Sequence, residues 1–351
     1  MVVDEGFAER NSERLEKAIR HETPDRVPVA VHVNGPFIAG FNSVPYEVYY
    51  KDREVMLKCQ LKVRRRFYGL TPVWPDYGMV LEASALGADI CWEVDGSPWV
   101  RPFIRSVEDV ERLRVPDPHR DGLLPIFLET YEYMRRNVGE DAQLGCCSCV
   151  GPATLASLIR GATEFLRDLC LDKDLAVKLL SICSETAKVW LLAQAEVAPE
   201  VDCVLIGDDI ASYMSPKQFE EFILPRYREI YSVLPNRRRW LHNDADSSHL
   251  LELLAESGVE VLHLGYEVDI IDAKRRIGGR VCLMGNLPPL EVLRDGSREL
   301  VASKSRDLIL KLAYDGGFVL APGGYLVEGT PPENIDSMIE AAEHTPINGL
   351  D

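Results

Sequence analysis

An α/β fold of the (β/α)8, TIM-type barrel class with an N-terminal helical extension is what the sequence predicts, on three observations. Short apolar runs and amphipathic helical patterns alternate along the chain. The runs are continuously apolar, as parallel strands covered on both faces are. There are eight of them, the number that closes on itself into this barrel. The 351 residues fit a single domain, residues 1–351, with the extension over 1–25 and room for one or two insertions.

The elements follow in order. "MVVDEGFAERNSERLEKAI" is the extension. The strands are "RVPVAVHV" (26–33), "TPVWPD" (71–76), "AQLGCCSCV" (142–150), "VDCVLIGDD" (201–209), "RRWLHND" (238–244), "VEVLHLG" (259–265), "GRVCLMGN" (279–286) and "GGFVLAPGG" (316–324). Helical patterns such as "ATLASLIRGATEFLRDLC" and "SHLLELLAESG" separate them. "EVDGSPWVRPFIRSVEDVERL" reads as an inserted extended segment ending at a helix capped by Ser106. Two helices open with capping boxes, one at Ser215, Pro216 and Gln218, the other at Thr330, Pro331 and Glu333. An open doubly wound sheet is the alternative, disfavoured because no GxGxxG turn follows the first strand.

Composition excludes several function classes. The formal net charge is −17 and the basic clusters, Arg64 to Arg66 and Arg237 to Arg239, are short, so nucleic acid is not an expected partner. There is no apolar run of about 18 residues and no basic, then apolar, N-terminal leader, so neither membrane nor export is expected and the protein reads as cytoplasmic. Nine cysteines in apolar surroundings suit a reducing compartment better than a disulfide framework. The cluster Cys146, Cys147 and Cys149 lacks the CxxC loop of a metal motif and reads as small strand residues.

In such a barrel, chemistry sits at the C-terminal ends of the strands. Those ends carry His32 and Asn34, Asp76 and Tyr77, Asp208 and Asp209, His242 and Asp244, His263, Asn286, and the turn from Pro322 to Tyr325.

The phrases "VGPATLASLIRG", "SPKQFEEFILPRYREIY", "WLHNDAD", "LMGNLPPLEVL" and "GGFVLAPGGYLVEGTPPENI" resemble the uroporphyrinogen decarboxylase superfamily, in that family's order and over nearly the whole chain. The resemblance is strongest to the branch of corrinoid-dependent methyltransferases, and the family's fold is a (β/α)8 barrel. The decarboxylases carry "RQAGRY" after the first strand to grip a substrate with many carboxylates. The matching place here, "VHVNGPFIAGF", contains no arginine, so that substrate is not expected. Asp76 resembles the decarboxylase aspartate and is a candidate catalytic residue together with His242.

The branch's thiol methyltransferases hold zinc through "HxC" and the cysteine of "SPGC". Here the histidine is His242, but the cysteine positions are Asp244 and Gly324. A zinc site of carboxylates and imidazole is harder than one of thiolates and suits polarising an oxygen. In the related O-demethylases an acid stands 21 positions before the histidine, which here is Glu221. A first acid 15 positions earlier falls on Ile206, with Asp208 the nearest substitute. The resemblance thus implies Zn2+ held by His242, Glu221 and Asp208 or Asp244. It also implies a mouth where Trp74, Tyr77, Trp92, Tyr213 and Tyr325, with His32 and Asn34, hold a small aromatic methyl ether.

The implied reaction moves a methyl group from the ether oxygen to the cobalt of a corrinoid carried by a partner protein that docks transiently; a homodimer is one open oligomeric state. The alternatives are a lyase acting on a small acid through Asp76 and His242, a methylcorrinoid:thiol methyltransferase with an altered metal site, and a noncatalytic barrel that binds a corrinoid or a partner.

Overall fold

The computed structural model describes residues 6–93, 96–139 and 143–347. Residues 1–5 of the expected extension, Val94 and Asp95 of the inserted segment, and Ala142 at the expected start of the third strand lie outside the described residues.

A short antiparallel pair, β1 (Ile90–Cys91) and β2 (Trp99–Val100), stands apart from the main sheet. The main sheet is parallel: β3 (Cys147–Val150), β4 (Cys203–Gly207), β5 (Arg238–Asn243), β6 (Val261–Leu264), β7 (Cys282–Leu287) and β8 (Phe318–Pro322), paired in sequence order. Single parallel bridges extend it at both edges, Val73 to Leu144 beside β3 and Val29 to Leu320 beside β8. Eight parallel segments therefore follow one another in chain order, as a (β/α)8 barrel requires.

The two segments expected as full strands at 26–33 and 71–76 are bridges and not ladders. Pro28, Pro72 and Pro75 remove donors from them. Side-chain amides supply the missing pairing. Asn11 donates to the Val29 carbonyl at 2.9 Å and accepts from its N–H at 2.8 Å, and Gln60 does the same for Trp74 at 2.8 and 2.9 Å.

Helix α1 (Phe7–Ile19) closes the N-terminal end of the barrel. Ala18, with Leu15 and Ile19, packs on a layer of inward side chains made of Ala30, Trp240, Val261, Cys282, Met284, Val319 and Ala321. The Ala18 carbonyl accepts from Gly317 N–H at 3.1 Å, and Glu16 pairs with Arg238. Strand side chains alternate between faces, so the next inward positions lie two residues on. From Ala30, Trp240 and Val261 that step reaches His32, His242 and His263.

Two expectations are corrected. Cys146 and Cys203 are joined as a disulfide, with Cα atoms 4.8 Å apart. The register explains it: Cys147 lies opposite Val204, so the residues just before them are neighbours on adjacent strands. The helix Pro332–His344 has no capping box at Thr330 and Glu333, because its N-cap is Pro331 and the Thr330 hydroxyl donates to the Val327 carbonyl. The box at Ser215 and Gln218 is present, and Ser106 starts the helix Val107–Arg112, its N–H donating to Asp109 at 3.0 Å. No helix among the described residues is long and apolar enough to cross a membrane.

Candidate metal centre at the barrel mouth

The ends of β4 and β5 are tied together by their own backbone. Asp208 N–H donates to the His242 carbonyl at 3.1 Å, Asn243 Nδ2 to the Asp208 carbonyl at 2.9 Å, and Asp244 N–H to Oδ1 of Asp209 at 3.0 Å. The last bond fixes the Asp209 carboxylate beside Asp244. Because Gly207 lies opposite His242 in the register, the inward step after Gly207 is Asp209, beside the imidazole.

His242 Nε2 faces Oδ2 of Asp244 at 3.7 Å. Donor atoms of Asp209, His242 and Asp244 all lie within 4.8 Å of one another. Their charges are coupled. Burial raises the Asp209 carboxyl above its ordinary value, with Asp244 adding repulsion, while the adjacent His242 imidazole holds Asp244 below its own. Two carboxylates and an imidazole are oxygen and nitrogen donors that could hold a divalent cation such as zinc with bonds of about 2.0–2.2 Å, without any thiolate.

A second group of donors consists of His32, His242 and His263. His242 Nδ1 and His263 Nδ1 are 2.7 Å apart, a hydrogen bond rather than two ligands on one ion. His263 Nε2 is 2.8 Å from the Pro322 carbonyl oxygen, and burial pushes the His263 imidazole down to about 3. His32 is partly exposed, but desolvation of its ring holds it well below its ordinary value, and its Nδ1 is buried without a hydrogen-bond partner among the described residues. Tyr325 covers this group, its ring centroid 4.3 Å from that of His32 and 5.0 Å from that of His242. Burial pushes its phenol up, and the nearby charges of Asp209, Asp76 and Asp244 add to that. Asp76 is the other acid of the mouth. Burial raises it to about 6, against one hydrogen bond from Gly78 N–H at 3.0 Å and one from the Tyr49 hydroxyl at 3.3 Å.

The structure brings His32, Asp76, His242, Asp244 and Tyr325 to this mouth and places the other predicted site residues elsewhere. Asp208 is fully buried and holds the N-terminus of the helix Pro152–Arg160: it accepts from Thr154 N–H at 2.7 Å, Ala153 N–H at 3.2 Å and the Tyr227 hydroxyl at 3.0 Å. It shares a strand face with the buried Val204 and Ile206, the face turned to the helices. Glu221 pairs with Lys173 at 3.3 Å, both half-exposed, and belongs to neither donor group. Asn34 caps α2 (Gly35–Asn42), accepting from Phe37 N–H at 3.1 Å. Tyr77 is core, its hydroxyl 2.8 Å from that of Thr130. Trp74 is half-buried, with its backbone held by Gln60. Trp92 lies on the surface under Lys51, whose Nζ is 5.1 Å from the ring centroid. Tyr213 is two-thirds exposed in the turn after β4.

Sequence reasoning named Asp209 and His263 as strand ends but gave neither a role at the metal. Strict two-residue counting, Leu205–Gly207–Asp209 and Val261–His263, carries the missed signal. None of the cysteines joins a donor group among the described residues. Cys146 is bonded to Cys203, and Cys147 takes Arg237 at 2.8 Å.

The sequence matches the family model described as Uroporphyrinogen decarboxylase (URO-D) over residues 10–345. The chain is 27% identical to a uroporphyrinogen decarboxylase of Trichodesmium erythraeum, over 94% of this chain and 95% of that one. It is 25% identical to the methylcobamide:CoM methyltransferase MtbA of Methanosarcina acetivorans, over 95% and 97%. A solved methyltransferase from Methanosarcina mazei superposes with a TM-score of 0.81 at 26% identity, covering 95% of this chain and 98% of that chain. With its eight parallel segments and its histidine and aspartates gathered at their C-terminal ends, this chain belongs to the uroporphyrinogen decarboxylase family.

Proposed function

We propose that the protein is a zinc-dependent methyltransferase that moves a methyl group from an oxygen donor, of the aryl methyl ether class, to the cobalt of a corrinoid carried by a separate protein. One observation carries this reading: Asp209, His242 and Asp244 converge on one point at the barrel mouth and include no thiolate. Similarity to proteins named as methylcobamide:CoM methyltransferases supports the corrinoid partner. The donor set argues against a thiol substrate, because thiols are activated at softer sites. Gly324 borders the set. A Cβ there would stand 3.5 Å from Asp244 Oδ2, in a backbone with φ of +131° that disfavours side chains, so the space beside Asp244 stays open to a substrate oxygen.

Zinc at this site would act as a Lewis acid on the ether oxygen and so improve a poor leaving group. The protein's own residues do the rest. His242, Asp209 and Asp244 hold the cation. Tyr325 and His32, their rings tilted by 36° with centroids 4.3 Å apart, form a wall for a flat ring. Asp76, half-protonated near pH 6, offers a proton to the departing oxygen, and its buried position shields that proton from water. A corrinoid is too large to enter, so its protein docks over the C-terminal ends of the strands, around which Tyr213, Tyr266 and Leu290 are exposed in the segments after β4, β6 and β7.

The test uses untagged protein. Metal content is measured, and cob(I)alamin-loaded corrinoid protein is mixed with aryl methyl ethers. Near-stoichiometric zinc and growth of methylcobalt absorbance are expected. Absence of both, with every O-methyl donor tried, overturns the proposal.

A lyase acting on a small acid is favoured by the raised Asp76 carboxyl and by the similarity to a uroporphyrinogen decarboxylase. The charged groups acting on Asp76 and Tyr325 include no lysine or arginine, so an acid substrate would meet carboxylates without a guanidinium to receive it. Release of carbon dioxide from small acids is the observation that would reverse the preference.

A further inference from the structure

His263 supplies no ligand to the set of Asp209, His242 and Asp244, yet both of its nitrogens are engaged. Nε2 is 2.8 Å from the carbonyl oxygen of Pro322. A carbonyl only accepts, so Nε2 carries a hydrogen. Nδ1 is 2.7 Å from Nδ1 of His242, and two nitrogens at that distance hold one proton between them. If that proton sat on His263, the ring would be a fully buried imidazolium with a carbonyl and a second imidazole as its only hydrogen-bond partners. Burying that charge is costly even with the Asp244 carboxylate nearby. The proton therefore belongs to His242, whose Nδ1–H donates to the lone pair on His263 Nδ1.

We propose that His263, backed by the Pro322 carbonyl, is a positioning residue that locks His242 in its Nδ1–H tautomer and so turns the Nε2 lone pair toward the cation. This rests on the metal reading of the site and adds to it the group that prepares the ligand. Imidazole ligands commonly donate their second N–H to a carboxylate or a carbonyl. Here an imidazole is interposed. The strand register brings it there, since His242 and His263 are direct partners across β5 and β6, and no residue outside the sheet is needed. His263 also leaves the cation's charge balance untouched, where a third carboxylate would add a further negative charge.

The experiment uses the full chain in three forms: the wild type, His263→Leu, which fills the space without an acceptor, and His263→Asn, whose amide oxygen lies near the original Nδ1. Zinc affinity is measured by chelator competition after metal removal, and thermal melting of the metal-free proteins controls for folding. In parallel, 15N shifts of labelled histidines report the tautomers of the metal-free wild type. His263→Leu is expected to weaken zinc binding about 10- to 100-fold, His263→Asn to recover most of that, and the shifts to show Nδ1–H on His242 and Nε2–H on His263. Opposite tautomers overturn the proposal whether or not metal binds. Wild-type affinity in His263→Leu overturns it while leaving the metal site standing, and loss in both variants assigns His263 to packing and overturns it too. A wild type that binds no zinc overturns the metal reading itself, and this role with it.

Discussion

Nε2 of His242 and Oδ2 of Asp244 are 3.7 Å apart, too far to share a proton well and the spacing of two ligands around one small cation. Asp209 completes the set from the neighbouring strand. His242→Ala, Asp244→Asn and Asp209→Asn are each expected to weaken zinc binding by about 100-fold or more, beyond the loss typical of supporting residues, with methyl transfer falling in parallel. Circular dichroism should be unchanged, because the strands hold their register through backbone bonds. Chelator competition decides it: tight binding after loss of His242 would place the metal elsewhere.

Asp208 and Glu221 should behave differently from that set and from each other. Asp208→Ala strips acceptors from two helix N–H groups and the buried Tyr227 hydroxyl, a loss of about 3 kcal/mol in unfolding free energy. Glu221→Gln breaks only a half-exposed ion pair with Lys173, a change under about 1 kcal/mol. Urea titration separates the two. Zinc affinity of the folded fraction should be normal in both, and loss of zinc with Glu221→Gln would restore the ligand pattern expected from sequence.

The contrast between these residues shows what could be read before the structure. Six strands and the N-terminal helix follow from apolar runs and an amphipathic stretch, because burial leaves a mark in the sequence, whereas where that helix packs does not. The first two strands are less regular than their apolar runs imply, because prolines remove donors there and the amides of Asn11 and Gln60 act across 18 and 14 residues. His242 and Asp244 were legible from their place at a strand end. Asp208 was preferred to Asp209 through a spacing borrowed from relatives, whereas alternation along β4 turns Asp208 to the helices and Asp209 to the mouth. Tyr77, Trp92 and Asn34 share residue type and neighbourhood with real lining residues, and only packing tells them apart.

Tyr325 tests the substrate wall. Its ring lies against His32 and His242, and its phenol is held neutral and protonated by burial and by nearby carboxylates. Tyr325→Ala is expected to raise KM for an aromatic donor about 10-fold or more, in line with a stacking loss of about 1.5 kcal/mol, and Tyr325→Phe to keep KM and lower kcat. Trp92→Ala, on the surface, should change neither. Steady-state kinetics with the corrinoid partner in excess makes the comparison, and an effect of Trp92→Ala equal to that of Tyr325→Ala would refute the assignment.

Glu82, outside both donor groups, gives a pH test. It is buried, accepts from Val150 N–H at 2.7 Å, and burial raises its carboxyl to about 7. The folded state thus binds this proton more tightly than the unfolded chain, whose carboxyl titrates near its ordinary value of about 4.3. The stabilising contribution is complete below that value and is lost as pH rises through about 7, because ionisation then costs more in the folded protein. Asp208, raised to about 6, follows the same sign over a lower window. Glu82→Gln keeps an oxygen for Val150 N–H and cannot ionise, so it should flatten the fall in melting temperature between pH 5 and pH 8 and leave the variant the more stable at pH 8, by about 3–4 kcal/mol at most. Melting curves across that range decide it, and parallel pH profiles for variant and wild type would show that Glu82 is not the group being titrated.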